Sequence, residues 1–291
     1  MHLTTATFTR LMAVCAAALA VASGSMVAAS TFTLIDGEGF EAPDYSTSFA
    51  GTGQLEGQFA STFEGFGSAQ WVQSPLGGTS TAVVQSAVVA SGSQAVRVDR
   101  DAGSDDRWAV PITGAPAEPI VCIEWDMLVE EATATPLGSF GPFFGIEAYD
   151  DDATSILRMG SLGVDAATGE VLLTDAATGL VPTPGGETVG FGQWNSFRMV
   201  LDFSTDRYAG YLNGDLLFIE DFEFPGADQF TDADIAALGA SFDPGSQNAT
   251  GTAYFDNYLV FETDDLSKLP EPASAAMLLA AMVGLGSRRR R

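Results

Sequence analysis

The chain has 291 residues, 46% of them hydrophobic, and its 12 basic and 38 acidic side chains give a formal net charge of −26 at pH 7. Between residues 30 and 268 the count is 7 basic to 37 acidic, a net charge of −30, which excludes a surface for nucleic acid or anionic lipid. The only histidine is His2, and Cys122 is the only cysteine after Cys15, so a thiol–histidine mechanism is excluded.

The first 29 residues have the three parts of a secretory signal peptide. Met1–Arg10 holds one arginine and no acid, Leu11–Ala22 is apolar, and small residues end the segment at Val27–Ala29. This order predicts a signal helix over residues 1–29 that is cleaved after Ala29, and therefore export of the remainder.

Short runs rich in β-branched and aromatic residues recur about every ten residues between Phe32 and Phe261, separated by Gly, Asp, Asn and Pro. In residues 120–130 the apolar face is the clearest: Val121, Ile123, Trp125, Met127 and Val129. Cys122 lies within this run and is interpreted as a buried packing residue. Only residues 231–242 indicate a helical turn.

Turn signals separate the strands. Two copies of Asp-Ala-Ala-Thr-Gly, at 165–169 and 175–179, combine an aspartate that caps the backbone with a glycine for positive φ, so we interpret them as successive hairpin turns. Asn213-Gly214 predicts a two-residue hairpin turn of the primed type. Many strands without a linker predict one all-β domain over residues 30–264, a sandwich of two antiparallel sheets.

Two segments carry a resemblance to a known class of domain. The strand opened by Trp194 with its continuation FSTDRYAGYLNG (203–214), and the closing run YFDNYLVFE (254–262), resemble laminin-G-like domains of the concanavalin A-like class. The resemblance covers about the last third of the domain. It implies a jelly-roll sandwich, and domains of this kind bind sugars through aromatic platforms and loop-held Ca²⁺.

The same class includes retaining glycoside hydrolases with a strand motif similar to Glu-x-Asp-x-x-Glu, which Glu124 and Asp126 begin. Here Val129 holds the position of the third acid, and Glu130 follows one place late. Glu124 and Glu130 are about 20 Å apart along a strand, too far for a retaining pair. Glu124 and Asp126 remain the fallback catalytic candidates, and a solvated strand face is the alternative.

An acidic stretch follows the strand predicted at residues 140–150. The candidate Ca²⁺ ligands are its three consecutive acids: Asp150, Asp151 and Asp152. Carboxylates suit a hard cation, although a solvated loop explains the same residues. Trp71, Trp108 and Tyr149 are candidates for stacking on sugar rings, with core packing as the alternative.

The C-terminal segment, residues 265–291, combines a Pro-Glu-Pro, a short apolar run and an arginine cluster. Ala273–Leu285 would span about 20 Å as a helix, short of a hydrocarbon core of about 30 Å. Terminal arginines stay on the cytoplasmic side. The alternative interpretation of the apolar run and the arginines is a plain C-terminal membrane anchor that is not cleaved.

This arrangement resembles the PEP-CTERM sorting signal. The matching residues are Pro270, Glu271, Pro272, Arg288, Arg289, Arg290 and Arg291. The resemblance implies a Gram-negative-type bacterium, processing by an exosortase-type enzyme near the Pro-Glu-Pro, and an association with exopolysaccharide.

Together these observations predict a secreted or cell-surface protein that crosses the inner membrane and contacts it transiently through both termini. The expected partners are the exosortase-type enzyme and extracellular polysaccharide, with no nucleic acid. We expect a non-catalytic protein that binds or scaffolds polysaccharide. Ca²⁺ is its candidate cofactor. The alternatives are a glycoside hydrolase of the concanavalin A-like fold and an inert structural component of the matrix.

Overall fold

A computed structural model describes residues 31–62, 70–74, 78–112, 118–134, 136–151 and 155–265. The chain divides into two units, Met1–Ser30 and Thr31–Arg291, and every described residue belongs to the second. Several predicted features lie outside the described residues. They are both terminal helices, Ala29, the sorting residues 270–272 and 288–291, and Asp152. Within the described ranges no helix is long and apolar enough to cross a membrane.

Sixteen strands form in the described part of the chain. In chain order they are β1 (Phe32–Asp36), β2 (Ser61–Thr62), β3 (Val72–Gln73), β4 (Thr81–Gln85), β5 (Ala95–Arg100), β6 (Asp106–Ala109), β7 (Ile120–Val129), β8 (Phe143–Asp151), β9 (Ile156–Asp165), β10 (Val171–Asp175), β11 (Gly179–Pro182), β12 (Trp194–Asp202), β13 (Arg207–Leu212), β14 (Asp215–Asp221), β15 (Asp232–Leu238) and β16 (Gly251–Thr263). A four-residue helix, α1 (Pro244–Gln247), precedes the last strand.

The strands make two antiparallel sheets. The first sheet has the order β14-β13-β12-β7-β16-β1-β2, and β5 also pairs with β16 and carries β4 at its other side. The second sheet has the order β11-β10-β9-β8-β15-β6-β3. The prediction of an all-β, two-sheet jelly-roll sandwich is confirmed.

The core lies between the inner faces of the two sheets. The apolar face predicted for β7 is buried there, with no side chain more than 2% exposed: Val121, Ile123, Trp125, Met127 and Val129. Glu124 and Asp126 alternate with these residues and face outward. Cys122 is fully buried beside Val200 and Phe261, and burial raises the pKa of its thiol to about 12. It is therefore the packing residue that the sequence predicts.

The predicted turns are present. In both Asp-Ala-Ala-Thr-Gly copies the aspartate accepts backbone N–H groups of the turn, and Gly169 and Gly179 have φ of 78° and 80°. Asn213 and Gly214 have φ of 51° and 92°, as a primed two-residue hairpin requires.

The helical turn predicted in residues 231–242 is wrong, because strand β15 occupies most of this segment. Its alanines and leucine favour a helix locally, but the strand pairs with β8 on one side and β6 on the other. Ala233, Ile235 and Ala237 enter the core, whereas Asp232 and Asp234 lie on the outer face. Tertiary pairing has overridden the local propensity.

Candidate functional site

A groove of about 360 Å³ lies on the outer face of the second sheet. Its floor and walls come from β6, β9, the β10–β11 turn and the loops around residues 139 and 240. The lining residues are Asp105, Arg107, Ser139, Phe140, Arg158, Thr178, Gly179, Leu180, Leu238, Gly239, Ala240 and Ser241.

A fully buried carboxylate, Glu147 on β8, organises the charged end of this face. Arg107 Nε donates to its Oε2 at 2.6 Å, Tyr149 Oη donates to the same oxygen at 2.8 Å, and Arg158 Nη1 donates to Oε1. Burial alone would raise the pKa of Glu147, but the two guanidinium charges outweigh it and hold the pKa at about 2. Glu147 therefore stays ionised and fixes both arginines.

The two arginines differ in which of their N–H groups they leave for a ligand. Arg158 donates to Glu223 at 2.5 and 3.0 Å from Nε and Nη2, besides its bond to Glu147. Arg107 donates only from Nε, to Glu147 and to Tyr149. Its side chain is 27% exposed, and its Nη1 and Nη2 have no hydrogen-bond partner among the described residues. This fork suits bidentate binding of a carboxylate.

Asp105, just before β6, is the only carboxylate among the described residues of the lining. Its Oδ1 accepts from Gly239 N at 2.7 Å and from Arg100 Nη2 at 3.2 Å. Arg100 is fully buried and also donates to the carbonyl oxygen of Ala249. Asp105 and Arg107 are two residues apart, so their Cα atoms are about 6–7 Å apart on one side of the chain.

One wall of the groove is held by Asp243, the N-cap of α1. Its Oδ1 accepts from Gly245 N and Ser246 N, and its Oδ2 accepts from Leu137 N and Ser139 Oγ. The hydrogen bond from Ser139 leads the causes that lower the pKa of Asp243. The carboxylate therefore ties the loop at 137–140 to the turn before α1.

The opposite wall is the second Asp-Ala-Ala-Thr-Gly turn. Asp175 Oδ1 accepts from Ala177 N, Thr178 N and Thr178 Oγ1. Thr178, Gly179 and Leu180 line the groove. A segment that the sequence identifies only as a hairpin turn thus contributes to the site.

Beside Glu147, Asp232 and Asp234 of β15 are buried on the same face. Asp234 lies opposite Glu147 in the register of β15 and β8. Burial, followed by the charge of Asp232, raises the pKa of Asp234 well above its ordinary value. Its Oδ1 has no hydrogen-bond partner among the residues that the structure describes. Burial therefore favours the neutral form of the Asp234 carboxyl group in the folded protein.

Asp234→Asn is expected to stabilise the protein at pH 7. A raised folded pKa means that the stability from Asp234 is fully present below about pH 4 and falls as the pH rises. Asparagine avoids this loss, so the gain is about 1 kcal/mol at pH 7 and disappears in acid. Denaturant unfolding at pH 7 and pH 4, with the exposed Asp228→Asn as control, measures it. Equal stability of wild type and variant at pH 7 would contradict the raised pKa of Asp234.

The fallback catalytic candidates lie elsewhere, in a pocket of about 190 Å³ on the outer face of the first sheet. Arg198 Nε donates to Glu124 at 2.6 Å. Asn257 Nδ2 donates to Asp126 at 2.7 Å, and Ser196 Oγ donates to the other oxygen at 2.5 Å. Both carboxylates have partners within the protein and lie apart from the groove on the second sheet.

The acidic stretch proposed for Ca²⁺ does not form a turn at its start, because β8 continues to Asp151. Asp150 is buried, and its Oδ2 accepts from Asp228 N and Gln229 N, whereas Asp151 is exposed. Neighbouring strand residues point to opposite faces. Among the described residues no group of three or more His, Cys, Asp or Glu is placed to hold a metal ion. With Asp152 outside the described residues, the Ca²⁺ site stays a prediction.

The aromatic candidates for sugar stacking are part of the protein interior. Trp71 and Trp108 are 0% and 1% exposed, and Trp71 Nε1 donates to Tyr45 Oη at 2.9 Å. Tyr149 is 7% exposed and belongs to the Glu147 network. Core packing, the alternative that the sequence also offered, therefore holds for the two tryptophans.

Sequence reasoning missed Arg107 and Arg158. One signal was present: with 7 basic residues between positions 30 and 268, any two that meet on one face are noteworthy. Arg107 lies on β6 and Arg158 on β9, and only the strand order β9-β8-β15-β6 brings them to the same carboxylate.

No protein-family model matches the sequence, and no curated protein matches it. Solved structures do match in fold. A sialidase is 12% identical with a TM-score of 0.46, over 67% of this chain and 17% of the sialidase. The cellulose-induced protein Cip1 is 17% identical with a TM-score of 0.46, over 65% of this chain and 90% of Cip1.

An endo-β-1,4-glucuronan lyase from the fungus Trichoderma reesei is 12% identical with a TM-score of 0.45, over 64% of this chain and 88% of the lyase. At such identities the similarity shows the fold alone. The prediction of a protein that is not an enzyme is contradicted by this comparison, in which the matching structures include the sialidase, the glucuronan lyase and alginate lyases.

Proposed function

We propose that the protein binds a uronate-containing polysaccharide in the groove of the second sheet and cleaves it by β-elimination. The observation that carries the proposal is Arg107, which lines the groove and whose Nη1 and Nη2 have no hydrogen-bond partner among the described residues, on a protein with very few cations. A neutral glycan has no group that would satisfy this fork as well as a carboxylate does.

The lining of the groove favours elimination over hydrolysis. Glycoside hydrolysis needs two carboxyl groups of the enzyme that flank the scissile bond, about 5–9 Å apart. The described lining holds one, Asp105. Elimination needs a cation at the sugar carboxylate and one base at the ring carbon that carries this carboxylate. Arg107 and Asp105 supply this combination.

The step is a proton abstraction followed by loss of the leaving sugar. Asp105 takes the proton from the ring carbon that carries the carboxylate. The electron pair of that carbon–hydrogen bond forms a double bond to the neighbouring ring carbon. The bond to the leaving glycosidic oxygen then breaks, and that oxygen takes a proton from solvent in the open groove. Arg107 stabilises the negative charge that develops on the sugar carboxylate.

Asp105→Asn is expected to lower cleavage of alginate or glucuronan about a hundredfold, since a positioned base contributes at least that much. Binding is retained, because Arg107 is unchanged and the asparagine oxygen can still accept from Gly239 N and Arg100 Nη2. The ultraviolet absorbance of the unsaturated product measures cleavage, and Asp101→Asn, at an exposed position nearby, is the control. Wild-type protein that forms no unsaturated product from either polyuronate would end the proposal of cleavage.

Export belongs to the same proposal. A polysaccharide of this kind is extracellular, and the signal peptide at 1–29, the Pro-Glu-Pro at 270–272 and the terminal arginines support delivery to the cell surface or secretion. Removing residues 265–291 should leave the protein trapped or misdirected in a cell that has an exosortase. Unchanged processing and location of the truncated protein would contradict the sorting role.

A further inference from the structure

A phenylalanine stands fully exposed at the rim of the groove. Phe242 has all of its side chain in solvent, and it directly follows Ser241, a lining residue. Covering such a ring with an apolar surface removes apolar area from water and is therefore favourable. The neighbouring loop presents a second exposed apolar residue, Leu137, at 82%.

The backbone at Phe242 is held in a strained conformation. Its φ is +68°, in the left-handed region that bulky residues avoid. Such strain persists only where the surroundings fix it, and it concentrates at functional sites. Here the fixing group is the next residue, Asp243, which accepts the Gly245 and Leu137 N–H groups and the Ser139 hydroxyl.

The same carboxylate thus positions both exposed apolar residues next to the groove. Asp243 fastens Leu137 through its N–H and sets the turn that carries Phe242. Neither side chain contributes to the core. A flat apolar ring beside a polar groove matches the two-sided chemistry of a pyranose, whose C–H face is apolar and whose hydroxyl edge is polar.

We propose that Phe242 is a stacking platform for a sugar ring of the chain as it leaves the groove, a subsite outside the Arg107 contact. The inference rests on the proposed function, since the groove must hold a glycan. It assigns a preference for longer chains: an oligosaccharide that reaches Phe242 binds more tightly than one confined to the groove.

The test is calorimetric titration of the full chain with alginate trisaccharide and hexasaccharide. Phe242→Gly is expected to weaken hexasaccharide binding about tenfold and trisaccharide binding much less. Glycine tolerates the positive φ, so this variant folds at least as well as the wild type. Phe242→Tyr keeps the ring and should keep the affinity, and Phe59→Ala, at another exposed phenylalanine, is the matched control.

The outcomes separate the subsite from the groove. A Phe242→Gly protein that binds hexasaccharide as tightly as the wild type overturns the platform and leaves the groove proposal intact. Wild-type protein that binds neither oligosaccharide overturns the proposed function itself. A loss shared equally by trisaccharide and hexasaccharide also overturns the platform, because it would place Phe242 within the groove contact.

Discussion

Arg107→Met is expected to abolish both binding and cleavage of a polyuronate. The methionine keeps much of the aliphatic stem but removes the fork that meets the sugar carboxylate. Removing one partner of a hydrogen-bonded charge pair costs about 2–5 kcal/mol, which corresponds to more than a thirtyfold loss of affinity. Cleavage falls further, because the same cation stabilises the charge of the transition state. Titration and the ultraviolet assay measure the two effects.

A second variant separates binding from folding, because Arg107 also pairs with Glu147. Arg107→Lys keeps a positive charge for Glu147 but cannot form the bidentate fork, so the fold persists while binding is lost. Arg97→Met is the control, since Arg97 lies on β5 of the first sheet and is 46% exposed. Polyuronate binding by Arg107→Lys at wild-type affinity would contradict the role of the fork.

Glu147→Ala is expected to destabilise the fold by about 3–5 kcal/mol, because it leaves the buried part of Arg107 and one donor of Arg158 without their anion. In a domain of this size that corresponds to a fall in Tm of about 6–20 °C. The exposed Glu56→Ala is the matched control and should change Tm little. Thermal unfolding followed by circular dichroism measures both.

The pH dependence of unfolding tests whether the charge of Glu147 causes this stabilisation. Since the pKa of Glu147 is lowered from 4.5 to about 2, its stabilising contribution is present above pH 4.5 and is lost as the pH falls toward 2. The stability difference between wild type and Glu147→Ala should therefore shrink across that window. A difference that stays constant from pH 7 to pH 2 would show that lost volume, not lost charge, destabilises the variant.

Strand order and register explain why the fold could be predicted and the groove could not. The alternation in β7 and the Asp-Ala-Ala-Thr-Gly and Asn213-Gly214 turns are local signals, and the structure confirms the sandwich they predict. Arg107 and Arg158 are 51 positions apart in sequence. They meet because β8 and β15 lie between their strands, a fact that no local pattern contains.

Other differences have the same origin. The β15 segment reads as a helical turn because alanine and leucine dominate it, and only its pairing with β6 and β8 makes it a strand. Trp71 and Trp108 have the chemistry of sugar platforms, but burial decides their role. The exposed aromatic ring at the groove is Phe242, which carries no motif and is recognisable only from its exposure and positive φ.

The most direct measurement is a crystal structure of the protein with alginate trisaccharide. We expect the sugar in the groove of the second sheet, with a carboxylate about 2.7–2.9 Å from Nη1 and Nη2 of Arg107. Asp105 should then face the hydrogen on the carbon that bears this carboxylate. A trisaccharide found instead against Glu124 and Asp126 on the first sheet would contradict the proposed binding site.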